Sequence, residues 1–293
     1  MRIQIILTAV SILLTTVLSA QLPKTDIYLA EIKNITSKPQ ISSVKYLNDF
    51  NPNGYNNQAK FFGYEIIYFT AAIDTQTRTD VYKLDIGKNE VSRVTDTDGI
   101  SEFSPTPGPD THQFTTVRIE ADGKDQSLWS YPLDRSNIGK RWLPKLNNVG
   151  YFTFIGTDTV AMFLVGQPHS LVLGHLPSGK QEKIVDNIGR CLKTDQQGNI
   201  VFVQKVNADH WILKSYSPKN KTMIEICHMP SGREDFDLMP NGSYITSDGP
   251  LIKIFNPSKE KEWISIADFS SLKIMNINRL SIFRDRILFV NNK

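Results

Sequence analysis

The sequence is poor in the residues and motifs that mark most enzyme classes. Its 293 residues include two cysteines and five histidines. It contains no Gly-x-Ser-x-Gly elbow, no His-Glu-x-x-His pair and no phosphate-binding glycine loop. His112, His169, His175, His210 and His228 fall in expected turns or outer strands, where hydrogen bonding is the expected role. Two cysteines without a histidine pattern do not make a zinc site. Excess charge of one sign is also missing, since the formal net charge is +3. Lys219, Lys221, Lys259 and Lys261 are spread through turns rather than massed. A nucleic-acid partner is therefore not expected.

Long apolar runs are absent after the N-terminus. At the N-terminus, Arg2 precedes the apolar stretch Ile3 to Leu18, and Leu18-Ser19-Ala20 offers a small-residue cleavage site. That pattern predicts a secretory signal peptide over residues 1–20, with a retained membrane anchor as the alternative. No cysteine stands at the cleavage site, so a lipid anchor is not expected. The remainder is expected to be exported, periplasmic or extracellular, with no membrane insertion after cleavage.

What is present is a repeat. An apolar-alternating segment, a tight polar turn and a stronger apolar strand recur along the chain. Asp237 to Ser247 shows the unit most clearly, with Pro240-Asn241-Gly242 read as a hairpin turn around a two-residue loop. The stronger strands begin near Ile67, Phe114, Val160, Ile200, Tyr244 and Ile287, at steps of 47, 46, 40, 44 and 43 residues. Such steps match a four-stranded propeller blade. A second family of segments follows the first five copies: Val81–Leu84, Leu128–Tyr131, Leu171–Leu173, Ile212–Lys214 and Leu251–Ile254. Outer strands such as Glu90–Val94 and Glu262–Ile266 come next.

The sixth copy lacks this second half. Thr25-Asp-Ile-Tyr-Leu-Ala-Glu-Ile32 matches Thr79-Asp-Val-Tyr-Lys-Leu-Asp-Ile86, and Ile41–Val44 supplies an outer strand. The predicted fold is therefore all-β. It is a single six-bladed β-propeller over residues 21–293, with residues 25–50 completing the last blade beside the C-terminal strands. A β-sandwich with chance hairpins is the alternative, but it gives no reason for the N-terminal match. Cys191 and Cys227 fall on the first and fourth strands of one blade. Three strand spacings are about 14 Å, beyond the roughly 7 Å reach of a disulfide, so two free, buried thiols are expected.

The stretches Ser104–Asp110 and Pro240-Asn241-Gly242, with Gly54-Tyr-Asn-Asn-Gln58 and Glu102–Pro107, resemble the WD-like repeat of exported TolB-like propellers. The resemblance spans nearly all of residues 21–293. Its motifs are short, so it speaks to fold more than to activity. TolB itself carries a separate N-terminal α/β domain before its propeller. The few residues here between the cleavage site and the first strand do not imply a role in the Tol system.

Loops entering the innermost strands crowd one mouth of a propeller channel, where ligand sites concentrate. Counting about ten residues back from each strong-strand anchor gives Asn57, Glu102, Tyr151, Arg190, Asp235 and Asn278, with Gln58 and Glu234 as neighbours. Arg118 is expected to point inward beside Glu102. Arg190 suits a carboxylate or phosphate, the acids suit hydroxyls or amines, and Tyr151 suits stacking. The alternative is that these charges merely pair with one another at a wet mouth.

The expected function is non-catalytic binding of a peptide, protein or cell-wall fragment at the channel mouth, with no cofactor. The alternative is a calcium-dependent hydrolase or lactonase using a channel metal with Glu102 or Asp235. Asn57 and Asn278 are further oxygen donors there, and lactonase-type propellers hold such an ion. Trp129, Trp142, Trp211 and Trp263 are expected to pack between blades.

Overall fold

The computed structural model describes residues 22–73 and 78–293. The signal-peptide expectation over residues 1–20 lies outside the described residues. The chain enters on β1 (Thr25–Lys33) and β2 (Gln40–Tyr46), then builds five complete blades in order. These are β3 (Tyr55–Phe61), β4 (Ile66–Ala72), β5 (Asp80–Asp85) and β6 (Glu90–Arg93); β7 (Ser101–Pro107), β8 (Gln113–Ile119), β9 (Gln126–Pro132) and β10 (Lys140–Trp142); β11 (Val149–Ile155), β12 (Thr159–Leu164), β13 (Ser170–His175) and β14 (Gln181–Asp186); β15 (Ile188–Thr194), β16 (Ile200–Lys205), β17 (Trp211–Ser217) and β18 (Thr222–His228); and β19 (Phe236–Leu238), β20 (Tyr244–Asp248), β21 (Leu251–Phe255) and β22 (Ile264–Asp268). The last pair, β23 (Ile277–Phe283) and β24 (Arg286–Asn292), joins β1 and β2 in a sixth sheet ordered β2-β1-β24-β23.

All six sheets are antiparallel and four-stranded, so the fold is the six-bladed propeller that the repeat predicts, closed by strands from both ends. The second strand of each blade is covered on both faces, which is why it reads as the strongest apolar run. Phe69, Phe114, Phe202 and Phe289 sit there fully buried. Each contributes about 1.5–3 kcal/mol of burial free energy.

The repeated Thr-Asp-x-Tyr segment fastens neighbouring blades. The Thr25 hydroxyl donates to the Asn56 carbonyl at 2.7 Å, and that of Thr79 to the Glu102 carbonyl at 3.0 Å. In both cases the threonine at the start of a third strand, or just before it, grips the innermost strand of the next blade. The following aspartates hold their own outer segments: Asn48 Nδ2 donates to Asp26 at 3.1 Å, and Arg93 pairs with Asp80 at 2.6 Å. At the chain ends, the Lys293 N–H donates to the Lys24 carbonyl at 3.1 Å, and the Lys293 ammonium pairs with Asp26 at 3.0 Å.

Two local expectations are corrected. Pro240-Asn241-Gly242 forms a three-residue loop rather than a two-residue one. Met239 N–H donates to the Ser243 carbonyl, and within the loop only Gly242 takes a positive φ, +80°. One left-handed residue after a tight turn is the three-residue hairpin solution. Cys191 and Cys227 are free, as expected, but half-buried rather than buried. Cys191 Sγ donates to the Phe236 carbonyl at 3.2 Å, and burial pushes its thiol up to about 11.

Candidate functional site

The innermost strands β3, β7, β11, β15, β19 and β23 surround the channel. Five of them break register at a bulge: Asn57/Lys60, Phe103/Thr106, Val149/Tyr151, Ile188/Leu192 and Asn278/Ser281. Three bulges place a non-glycine residue in the left-handed region: Gln58 at φ +55°, Ser104 at +56° and Arg279 at +54°. A bulge inserts one unpaired residue and re-aims the side chains that follow. Left-handed non-glycine residues cost about 1–3 kcal/mol each and cluster at functional places. Here they line a cavity of about 70 Å³ together with Tyr151, Arg190, Lys60 and Lys193.

Near the start of these strands, one carboxylate organises the mouth. Asp235 Oδ2 receives the Arg190 guanidinium at 2.7 Å, and Oδ1 meets Arg279 at 3.5 Å. Burial alone would raise the Asp235 carboxyl, but Arg279 and Arg190 outweigh it and hold it at about 2. Arg190 is fixed further by Glu234, whose carboxylate also takes Lys205 at 2.7 Å. Arg279 donates to the Tyr151 hydroxyl at 2.7 Å, with its guanidinium over the Tyr151 ring at 4.8 Å. The Gln58 amide oxygen accepts from Ser104 N–H at 2.8 Å, which locks two neighbouring bulges together.

Toward the far end of the same strands the lining becomes cationic. Lys193 pairs with Asp237 at 2.7 Å, and Asp237 also accepts from Ile282 N–H at 2.8 Å. Lys60 stands beside Lys193. Burial, followed by the charge of Lys193, lowers the Lys60 amine to about 8. Asp237 outweighs burial at Lys193 and raises it.

Of the residues expected at the mouth, Gln58, Tyr151, Arg190 and Asp235 line the cavity. Asn278 lines an adjoining recess with Arg190, Glu234 and Asp235, and its side-chain oxygen is buried without a hydrogen-bond partner. Asn57 is buried, with its side-chain oxygen accepting from Gln58 N–H.

Glu102 and Arg118 lie elsewhere. Glu102 is 0% exposed, packed between two blades, where it accepts from Thr95 at 3.3 Å and Tyr131 at 3.5 Å. Burial, with a further push from Asp80, raises its carboxyl to about 7. Arg118 is paired across the strands with Glu102 as expected, but its guanidinium binds Glu120 at 2.9 Å and stacks on Trp129 at 4.0 Å.

Lys60, Ser104, Lys193 and Arg279 are channel residues that counting from the anchors missed. Lys60 and Thr106 stand two places beyond Gln58 and Ser104, as Lys193 does beyond Cys191, so a period of two along each innermost strand reaches them.

The acids do not suit a channel cation. Glu102 is sealed between blades, and Asp235 is already held by two guanidiniums. Among the described residues, no group of three or more His, Cys, Asp or Glu side chains converges on a metal position.

No family model and no curated protein matches the sequence. Solved structures do share the fold. A TolB from Agrobacterium tumefaciens is 11% identical, with a TM-score of 0.67, over 92% of this chain and 99% of that one. TolB from Acinetobacter baumannii is also 11% identical, with a TM-score of 0.59, and this chain spans only 64% of its length. Oligogalacturonate lyase from Vibrio parahaemolyticus is 11% identical, with a TM-score of 0.55, over 85% of this chain and 80% of that one. At such identities the likeness is one of fold, and the fold is a TolB-like six-bladed propeller.

Proposed function

We propose that this chain is an exported binding module that takes a peptide, protein segment or cell-wall fragment at its channel mouth without altering it chemically. The observation that carries this reading is the pre-formed mouth. Tyr151, Arg190 and Arg279 are locked around Asp235, at the opening of a cavity of only about 70 Å³. Small-molecule sites usually offer about 300–1,000 Å³. A cavity this small takes one side chain or chain end, while the adjoining recess of about 210 Å³ and the rim hold the rest of a larger ligand. Tyr151 then supplies a rigid contact surface, and the guanidiniums supply directed donors. The rival reading, a calcium-dependent hydrolase or lactonase with Glu102 or Asp235 at a channel ion, has less support, because Glu102 is buried between blades and Asp235 already pairs with Arg190 and Arg279.

The test is capture from envelope extract and from cell-wall digest by purified residues 22–293. Tyr151→Ala and Arg279→Ala probe the mouth, and Lys214→Ala on β17, where the lysine pairs with Glu225 away from the cavity, serves as the control. The expected outcome is a defined species retained by the parent and the control, and reduced at least about tenfold by both mouth variants, a loss of about 1.4 kcal/mol. Equal retention by all four proteins would place the binding surface elsewhere.

A further inference from the structure

Lys60 is the one cavity-lining charge at the far level whose partner is another cation. The nearby carboxylate, Asp237, is committed to Lys193 at 2.7 Å and to two backbone N–H groups, those of Leu238 and Ile282, at 2.8 Å each. Among the described residues no carboxylate forms an ion pair with Lys60. Lys60 and Lys193 both line the cavity, with the Thr106 side chain on a neighbouring strand. This cluster therefore carries one positive charge that nothing balances. Next to it, the mouth cluster of Arg190, Arg279 and Lys205 against Asp235 and Glu234 carries another. An ammonium held partly out of water without a counter-charge is costly, and a bound anion offsets that cost.

We propose that the channel between Lys60 and Lys193 is an anion site that takes a single carboxylate, contributed by the chain end or acidic side chain of the ligand that lies across the mouth. The proposal rests on the binding-module reading and names the group that enters. A carboxylate matches both the size and the charge. One carboxylate fits about 70 Å³, and its single negative charge offsets Lys60 without overshooting. Lys193 is held in place by Asp237 and keeps donors to share. The acceptor-only carboxylate then meets ammonium groups as charge-assisted hydrogen bonds.

The pH dependence follows from what faces Lys60. Those groups are Lys193 and Cys191 from β15 and Asp237 from β19. Without an anion the Lys60 amine titrates at about 8, so above that pH a ligand carboxylate must draw in a proton on binding. Affinity for a carboxylate should hold steady below pH 8 and fall toward about tenfold per pH unit above it.

The experiment is calorimetric titration of residues 22–293 with acetate, tri-alanine, tri-alanine amide and inorganic phosphate, at pH 7.0 and pH 9.0. The proposal expects acetate and tri-alanine to bind and the amide to bind at least about tenfold more weakly. It also expects the carboxylate affinity to drop several-fold at the higher pH. Lys60→Met and Lys60→Gln remove the unbalanced charge, should fold as well as the parent, and should each abolish carboxylate binding. Lys214→Ala, whose side chain pairs with Glu225 away from the cavity, leaves acetate binding in place. Equal binding of tri-alanine and its amide, or carboxylate binding that survives both Lys60 variants, overturns the site. Phosphate binding more tightly than acetate overturns the carboxylate assignment. Capture of the large ligand lost in Tyr151→Ala but intact in Lys60→Met sinks this inference alone. Capture intact in the mouth variants sinks the binding-module reading itself.

Discussion

Glu102 shows how far burial can carry a single side chain from its ordinary chemistry. Its carboxyl moves from 4.5 to about 7, mainly because it is out of water, with the Asp80 charge adding to the effect. The folded state therefore holds this proton more tightly than the unfolded state does. Its contribution to stability is full below about pH 4.5 and is lost as pH rises toward 7. The span corresponds to at most about 3–4 kcal/mol. Glu102→Gln keeps the shape and removes the charge. Urea unfolding of parent and variant at pH 4.5 and 7.5 should show the variant gaining relative stability of that order at the higher pH. Parallel pH profiles would mean that the ionised carboxylate is not penalised where it sits.

The same residue marks the limit of sequence reasoning at this scale. Counting back from Phe114 places Glu102 at the start of an innermost strand, and it is there. Counting does not say which face of the strand it occupies. The bulge at Ser104 adds a residue between Phe103 and Thr106, and one extra residue exchanges the two faces of everything beyond it. Gln58, Tyr151, Arg190 and Asp235 reach the channel, whereas Glu102 turns between the blades. Arg279 was passed over although it neighbours Asn278, because a bulge leaves no mark in composition.

At the scale of the element, those bulges are a recurrent strain. Ser104 combines a φ of +56° with a side-chain hydroxyl that is buried and has no hydrogen-bond partner. Glycine removes both costs. Ser104→Gly should therefore raise stability by about 1 kcal/mol, despite glycine's freer unfolded state. Denaturant midpoints would check it, and a loss of more than about 1 kcal/mol would show that the serine side chain holds the bulge in place. The second strands were legible for the opposite reason. They are regular and buried on both faces, so Ile67–Ala71 and Ile200–Val203 stand out as apolar runs. The Thr-Asp-x-Tyr repeat was legible as a match between two segments. That its threonines clasp the next blade emerges only from the packing.

For the whole molecule, the decisive feature is ring closure. Ile27, Leu29, Leu288 and Val290 belong to the same apolar cluster as Phe69 and Leu84 of the adjoining blade. Removing residues 22–46 would uncover that cluster and leave β24 with an unpaired edge, the condition that invites aggregation. That truncation should give an aggregating or partly unfolded product. A permutant joining Lys293 to residue 22 by a short linker, with new ends between Ser178 and Gly179 in an exposed turn, should melt cooperatively close to the parent. A stable, monomeric truncation would show that the sixth sheet contributes little.

The two ends of the described residues, at 22 and 293, also have a direction. Thr25 N–H donates to the carbonyl of Gly54, just ahead of β3, and Asn292 borders the recess that holds Arg190, Asp235 and Asn278. Both ends therefore emerge on the rim of the mouth, on the side from which the innermost strands set out. A tag, bead or surface attached at either end stands beside the opening and shields it. The turns on the opposite side, such as the one carrying Ile138 at 83% exposure, leave the mouth facing outward. Whether a tethered copy of this protein catches anything then depends on which side of the disc is held.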